Sequence, residues 1–140
     1  MSQLKSIRLS LEHESNGRGG DQERSWNFFA SSFYFQTGWL FTELKLWQRF
    51  KDSTDYNPDL IDYMGHGHIQ FTIPYQKHIV KLLFRSNFNG ENAAQLNYSY
   101  PMFGSKDLFL YIKGFAGYGE SLIDYDHEVN KVGIGFCISR

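Results

Sequence analysis

Residues 5–15 read KSIRLSLEHES, and their alternation decides the fold class. Ile7, Leu9 and Leu11 fall on one parity, Arg8 and Glu12 on the other. Successive side chains of an extended strand point to opposite faces, so this stretch reads as a strand with one apolar and one charged face. The same two-residue period recurs along the chain, while helical spacing is nearly absent. It places strands at about 5–15, 26–36, 39–50, 63–73, 78–88, 93–100, 107–117 and 129–138. Most exceed the ~5–6 residues usual in globular sheets and match the ~9–11 of a tilted membrane-crossing strand.

The connections alternate in size. Gln36-Thr37-Gly38, Pro74-Tyr75-Gln76-Lys77 and Pro101 to Lys106 are tight; SNGRGGDQER, DSTDYNPDLID, NGEN and YGESLIDYDHE are mostly longer and rich in turn formers. Short turns at one end and long loops at the other suit an antiparallel up-and-down barrel crossing an outer membrane. The charges support this. Arg8, Glu12, Glu43, Lys45, Arg49, Lys81, Arg85, Lys113 and Lys131 all lie opposite the apolar parity, which includes Phe29, Phe33, Leu44, Ile69, Leu82, Leu96, Ile112 and Ile134. A cation facing lipid at the midplane costs roughly 2–4 kcal/mol, which enforces such segregation. Trp47, Phe109, Tyr111 and Phe115 share the charged face, so that face is mixed. Alternation does not say which face is outward. A soluble lipocalin-like barrel turns its apolar residues in, with Leu9 and Phe33 buried; a membrane barrel turns them out.

Composition narrows the field. A chain of 140 residues fits one domain, and 14 Lys and Arg against 15 Asp and Glu give no electrostatic case for nucleic acid. The single cysteine, Cys137, excludes an internal disulfide and a thiolate zinc cluster; it is expected on the apolar face and inert. Mean hydropathy is −0.45 and no apolar run approaches a membrane helix, but a membrane barrel averages out to hydrophilic. MSQLKSIRLS is already strand-like, so no signal peptide is expected in it.

The chemistry concentrates in one hairpin. His13 and Ser15 share the face of Ile7, Leu9 and Leu11, and residues two apart on a strand lie about 6.6 Å from each other. If His13 pairs with Asn27, the same register sets Leu11 opposite Phe29 and Ile7 opposite Phe33. A serine, a histidine and an amide in that order are what a hydrolytic triad needs: a nucleophile, a base, and a group that orients the base. Hydroxyl, imidazole and amide groups are also common at strand ends, and spacing alone leaves both readings open.

His13-Glu14-Ser15-Asn16-Gly17-Arg18 followed by Arg24-Ser25-Trp26-Asn27 resembles the signature of the outer-membrane phospholipase A family. The likeness continues in order through Asn57-Pro58-Asp59, Tyr63-Met64-Gly65, Leu96-x-Tyr98-Ser99-Tyr100-Pro101, Gly117 to Tyr125 and Val132-Gly133-Ile134-Gly135. The resemblance implies a twelve-stranded outer-membrane barrel, of which about eight strands lie here. It implies calcium-dependent hydrolysis of acyl ester bonds in phospholipids and lysophospholipids, with activation by homodimerisation. Ser15 is then the nucleophile, His13 the general base, Asn27 the residue orienting His13, and the Gly17 N–H an oxyanion donor. Calcium would take the Arg18 carbonyl and acids drawn from Glu23, Asp21 and Asp55, which otherwise read as loop solvation.

Residues 1–140 are thus expected to form a single β-barrel domain lacking the family's first strands and signal peptide. An open sheet in lipid leaves two unpaired edges, so a fragment, one part of a split protein, or a barrel closed with fewer strands is expected. The rival functions are a non-catalytic outer-membrane barrel or inactive fragment, and a soluble lipid-binding barrel. His66 and His68 read as polar lining rather than a metal pair, and Gly117-Tyr118-Gly119-Glu120 lacks the strand-to-helix setting of a phosphate loop.

Overall fold

The computed structural model describes residues 1–51 and 54–139. Its strands are β1 (Gln3–Ser15), β2 (Ser25–Thr37), β3 (Leu40–Phe50), β4 (Gly67–Tyr75), β5 (His78–Ser86), β6 (Asn92–Pro101), β7 (Phe109–Gly117) and β8 (Val129–Cys137). Each pairs antiparallel with the next, giving one sheet in sequence order. Between β2 and β3 the chain turns in two residues, Gly38-Trp39, and between β4 and β5 in Gln76-Lys77. Gly38 and Gln76 both take positive φ there, as two-residue hairpin turns require. The opposite end carries the connections 16–24, 51–66, 87–91 and 118–128; the expected sorting of loops holds except that the β6–β7 connection, 102–108, is not tight and exceeds 87–91.

The two faces of the sheet differ as the alternation requires. Register places Ile7, Phe33, Leu44, Ile69, Phe84, Ala94 and Ala116 on one face. This open face is lined with uncovered apolar side chains, among them Leu9 (65% exposed), Leu11, Phe29, Leu96, Val132 and Phe136. The exposure of Leu9, with Phe33 only half-buried, is the reverse of a soluble barrel. On the other, covered face Trp26, Phe28, Ala30, Trp47, Leu60, Met64 and Tyr125 form the core. Of the aromatic residues that made the charged face look mixed, Trp47 belongs to this core, and Phe109 and Phe115 are buried on β7. The core rings stack closely, Trp26 on Phe28 at 4.0 Å between ring centres.

Two expectations need correction. The fourth strand begins at Gly67, because residues before it form a short helix, α1 (Leu60–Met64). Leu60 and Met64, four apart, turn one side into the core, and Gly65 at φ +64 ends the turn. A five-residue helix is too short to show its period in sequence. Cys137 lies on the covered face, not the apolar one. It pairs with Phe109 and, with Lys81, Asn97 and Tyr111, lines a cavity of about 370 Å³. Phe136 and Ile138 flank it, and the pleat turns them the other way. His68, by contrast, takes the lining position expected of it, paired with Lys45 and Arg85 and edge-on to Trp47 at 5.6 Å. His66 lies just outside β4, where its carbonyl accepts the Trp47 N–H at 2.8 Å.

Candidate active site

The β1–β2 ladder runs in the register that the apolar faces demand: Ile7 opposite Phe33, Leu11 opposite Phe29, His13 opposite Asn27 and Ser15 opposite Ser25. His13 Nδ1 lies 2.7 Å from Asn27 Oδ1. A carboxamide oxygen only accepts, so Nδ1 carries the proton and Nε2 keeps its lone pair. Ser15 stands two residues along the same strand, on the same face, at the last rung of the ladder. Leu11, 76% exposed, and Leu9 continue that face toward the strand centre. The imidazole and the hydroxyl therefore sit at the long-loop end of an apolar wall.

The loop after Ser15 is built around Asn16, to which sequence reasoning assigned no role. The Asn16 N–H donates to the Arg24 carbonyl at 3.0 Å. Its Oδ1 accepts the N–H groups of Arg18 (3.2 Å) and Arg24 (3.1 Å), and its Nδ2 donates to the Gln22 carbonyl (2.7 Å). One side chain thus fixes the path of the whole connection. An asparagine before a glycine in a turn is the signal that could have found it. Gly17 occupies the left-handed region at φ +66, and a Cβ there would be strained even though the space around it is open.

Several residues support the site from behind. Trp26, 3% exposed, donates its Nε1–H to Glu14 Oε2 at 2.9 Å. Glu14 is the residue between His13 and Ser15, so the indole ties β1 to the core between the two. Lys45 reaches across β2 to Glu12 at 2.8 Å. At the start of β2, the Ser25 N–H donates to Asn57 Oδ1 at 3.1 Å.

The donors proposed for calcium are oxygen atoms of the right kind, a backbone carbonyl and carboxylates. Asp21 and Glu23 lie with Arg18 in the 16–24 loop, around the 3-10 turn Gly20–Gln22. Asp55 does not join them: its carboxylate is paired with Arg49 and accepts the Asn57 N–H. Among the described residues no three acidic, His or Cys side chains gather round one point. The 16–24 loop thus fits the ion in donor chemistry, and Asp55 fits an arginine partner.

With this geometry in place, likeness to known proteins becomes informative. The family model Phospholipase A1 matches residues 1–138. Phospholipase A1 of Klebsiella pneumoniae is 35% identical over 137 residues, covering 97% of this chain and 47% of the relative. Two solved structures superpose with a TM-score of 0.92 at 32% identity, covering 99% of this chain and 53% of each. One is a Salmonella typhi outer membrane phospholipase dimer with bound calcium; the other is an active-site mutant of Escherichia coli outer membrane phospholipase A in which an asparagine is replaced by alanine. The chain spans about half the length of the curated relatives it matches. Its eight strands reproduce that part of the antiparallel membrane barrel, and the chain belongs to the phospholipase A1 family.

Proposed function

We propose that the protein is a calcium-dependent phospholipase of the outer membrane, hydrolysing acyl ester bonds of phospholipids and lysophospholipids at Ser15, His13 and Asn27. The observation that carries the reading is the 2.7 Å contact from His13 Nδ1 to Asn27 Oδ1 on an exposed apolar wall that also bears Ser15. Asn27 fixes the tautomer in which Nε2 acts as base. Ser15 Oγ attacks the ester carbonyl carbon while Nε2 takes the hydroxyl proton, and the tetrahedral oxyanion forms beside the Gly17 N–H. As that intermediate collapses, the proton passes to the departing alcohol and the acyl group stays on Ser15. Water, deprotonated by the same nitrogen, then releases the fatty acid and restores the serine.

The apolar wall explains why such a site faces outward. An acyl chain lying against Leu11, Leu9 and Phe29 presents its ester at the long-loop end, where Ser15 stands. Asn27 is neutral and stabilises a charged imidazolium less than an aspartate does. Calcium held by the Arg18 carbonyl with Glu23 or Asp21 would supply positive charge near the developing oxyanion. The bound calcium of the Salmonella typhi structure supports a calcium requirement in this chain, and its dimeric assembly supports a homodimer as the active form.

The test is hydrolysis of a phospholipid by the chain refolded in detergent with calcium, alongside Ser15→Ala and His13→Ala. Turnover should fall by about 10³-fold or more in either variant, with refolding unchanged. Turnover that survives both substitutions rules the mechanism out.

A further inference from the structure

Resting on that reading, we propose that Asn57-Pro58-Asp59 and Tyr125 form a lock that holds the catalytic hairpin from behind, with Asn57 as the positioning residue for Asn27 and Ser15. Both segments stood out in the sequence, and the triad uses neither.

The β2–β3 ladder ends where Asn27 faces Phe50, so the two residues of β2 before Asn27 lie beyond that pairing. Asn57 supplies an acceptor there. Its side chain is wholly buried, and Oδ1 takes the Ser25 N–H at 3.1 Å, as a backbone carbonyl would. Ser25 is the ladder partner of Ser15, and Asn27 lies two residues on. One side-chain oxygen therefore fixes the backbone from which the serine's opposite rung and the histidine's partner both extend.

Asn57 is itself held from several directions. Its carbonyl accepts Arg49 Nη1 at 3.0 Å and the Leu60 N–H at 3.1 Å, and the same guanidinium pairs with Asp55. Two residues later Asp59 accepts the Tyr125 hydroxyl. Tyr125 sits in the core against Trp26, Leu60 and Met64, and its carbonyl accepts the Gly119 N–H at 3.1 Å. Glycine suits position 119, which takes φ +68 and where a Cβ would crowd Met64 Sδ and the Arg85 guanidinium. The 118–128 loop thereby presses α1 and Asn57 onto the hairpin.

The chemistry of Asn57 yields a selective variant. Among the described residues its Nδ2 has no hydrogen-bond partner, so Asn57→Asp keeps the Oδ1 acceptor for the Ser25 N–H, at the cost of a buried charge beside the Arg49–Asp55 pair. Two readouts on the refolded chain separate the lock from the function beneath it: labelling of Ser15 by a fluorophosphonate, and amide exchange over residues 25–27. Asn57→Ala should slow labelling roughly thirty-fold, within the ~10²-fold that a 1 Å misplacement can cost, and should speed exchange at Ser25. Asn57→Asp, which keeps the acceptor, should leave exchange at Ser25 slower than in Asn57→Ala. A parent chain that never labels overturns the phospholipase reading. Labelling of Asn57→Ala at the parent rate, or exchange at Ser25 as fast in the aspartate variant as in the alanine variant, overturns the lock instead. If Asn57→Ala does not refold, Tyr125→Phe removes only the hydroxyl to Asp59; it should slow labelling about threefold, and an unchanged rate again overturns the lock.

Discussion

The two faces of the β1–β2 hairpin differ more than any other pair of surfaces in the molecule. On the open face His13 and Ser15 stand beside uncovered Leu11 and Phe29, and the imidazole bonds the Asn27 carboxamide. On the covered face the alternate residues Trp26, Phe28 and Ala30 are buried among Trp47, Leu60, Met64 and Tyr125. The proposed triad lies on the open side, where a substrate can reach it. Its precision must then come through the backbone, from the packed side. A strand permits this, since neighbouring residues point opposite ways yet share one rigid ladder.

The largest expected effect tests that division directly. Trp26→Ala removes a buried indole and its bond to Glu14, on the covered face opposite the proposed triad. It should cost about 3–5 kcal/mol of stability, read as a lower denaturant midpoint, and should lower activity with it. A variant as stable as the parent would break the claim that the covered face carries the fold.

Next comes the open face. Leu9→Arg should cost about 2–4 kcal/mol when the chain is folded into lipid vesicles, since an arginine at the middle of a crossing strand faces hydrocarbon. Arg8, one residue away, already carries that charge on the other face. Folding of Leu9→Arg into vesicles with parent stability would mean that the open face does not meet lipid.

Asn27→Ala sharpens the contrast in the other direction. It removes the acceptor for His13 Nδ1 from a half-buried position, so stability should change by under 1 kcal/mol. Activity should fall about 10- to 100-fold, roughly 1.4–2.7 kcal/mol in the barrier, through loss of the fixed tautomer. The Trp26 and Asn27 variants would then separate stability from turnover between adjacent residues.

How much of this was legible beforehand follows from range. The β1–β2 register was readable because the apolar parities of Ile7, Leu9 and Leu11 and of Phe29 and Phe33 match in only one way that also joins His13 to Asn27. The two-residue turns at 38–39 and 76–77 were readable from turn chemistry, while the 102–108 connection is longer than its sequence suggested. The lock was not: Asn57 reaches Ser25 from 32 residues away and Asp59 reaches Tyr125 from 66, and no local period reports such pairings. Trp47 made the charged face look mixed because sequence does not show that α1 and Tyr125 of the 118–128 loop cover it. Asp55 was an acid in a loop, and nothing local revealed that Arg49 would claim it.

The smallest effect concerns the far edge of the sheet, where a charge cluster joins β7 and β8 at their loop end. Glu120 accepts hydrogen bonds from Lys131 at 2.6 Å and Lys113 at 3.1 Å, so one carboxylate bridges the two strands at their loop end. The Lys131 bond, with Lys113 assisting, holds its pKa below the usual glutamate range against the opposing effect of burial. A carboxyl with a folded pKa below its unfolded one contributes stability above the unfolded value, and that contribution drains as pH falls through the folded value. Acidification from neutrality through about pH 4 should therefore loosen this edge first, seen as faster amide exchange in 129–137. Glu120→Gln should show that looseness already at pH 7 and lose the acid dependence. An unchanged exchange profile would place the cohesion of the edge in its backbone ladder alone, making it a simpler structure than the hairpin at the other end of the sheet.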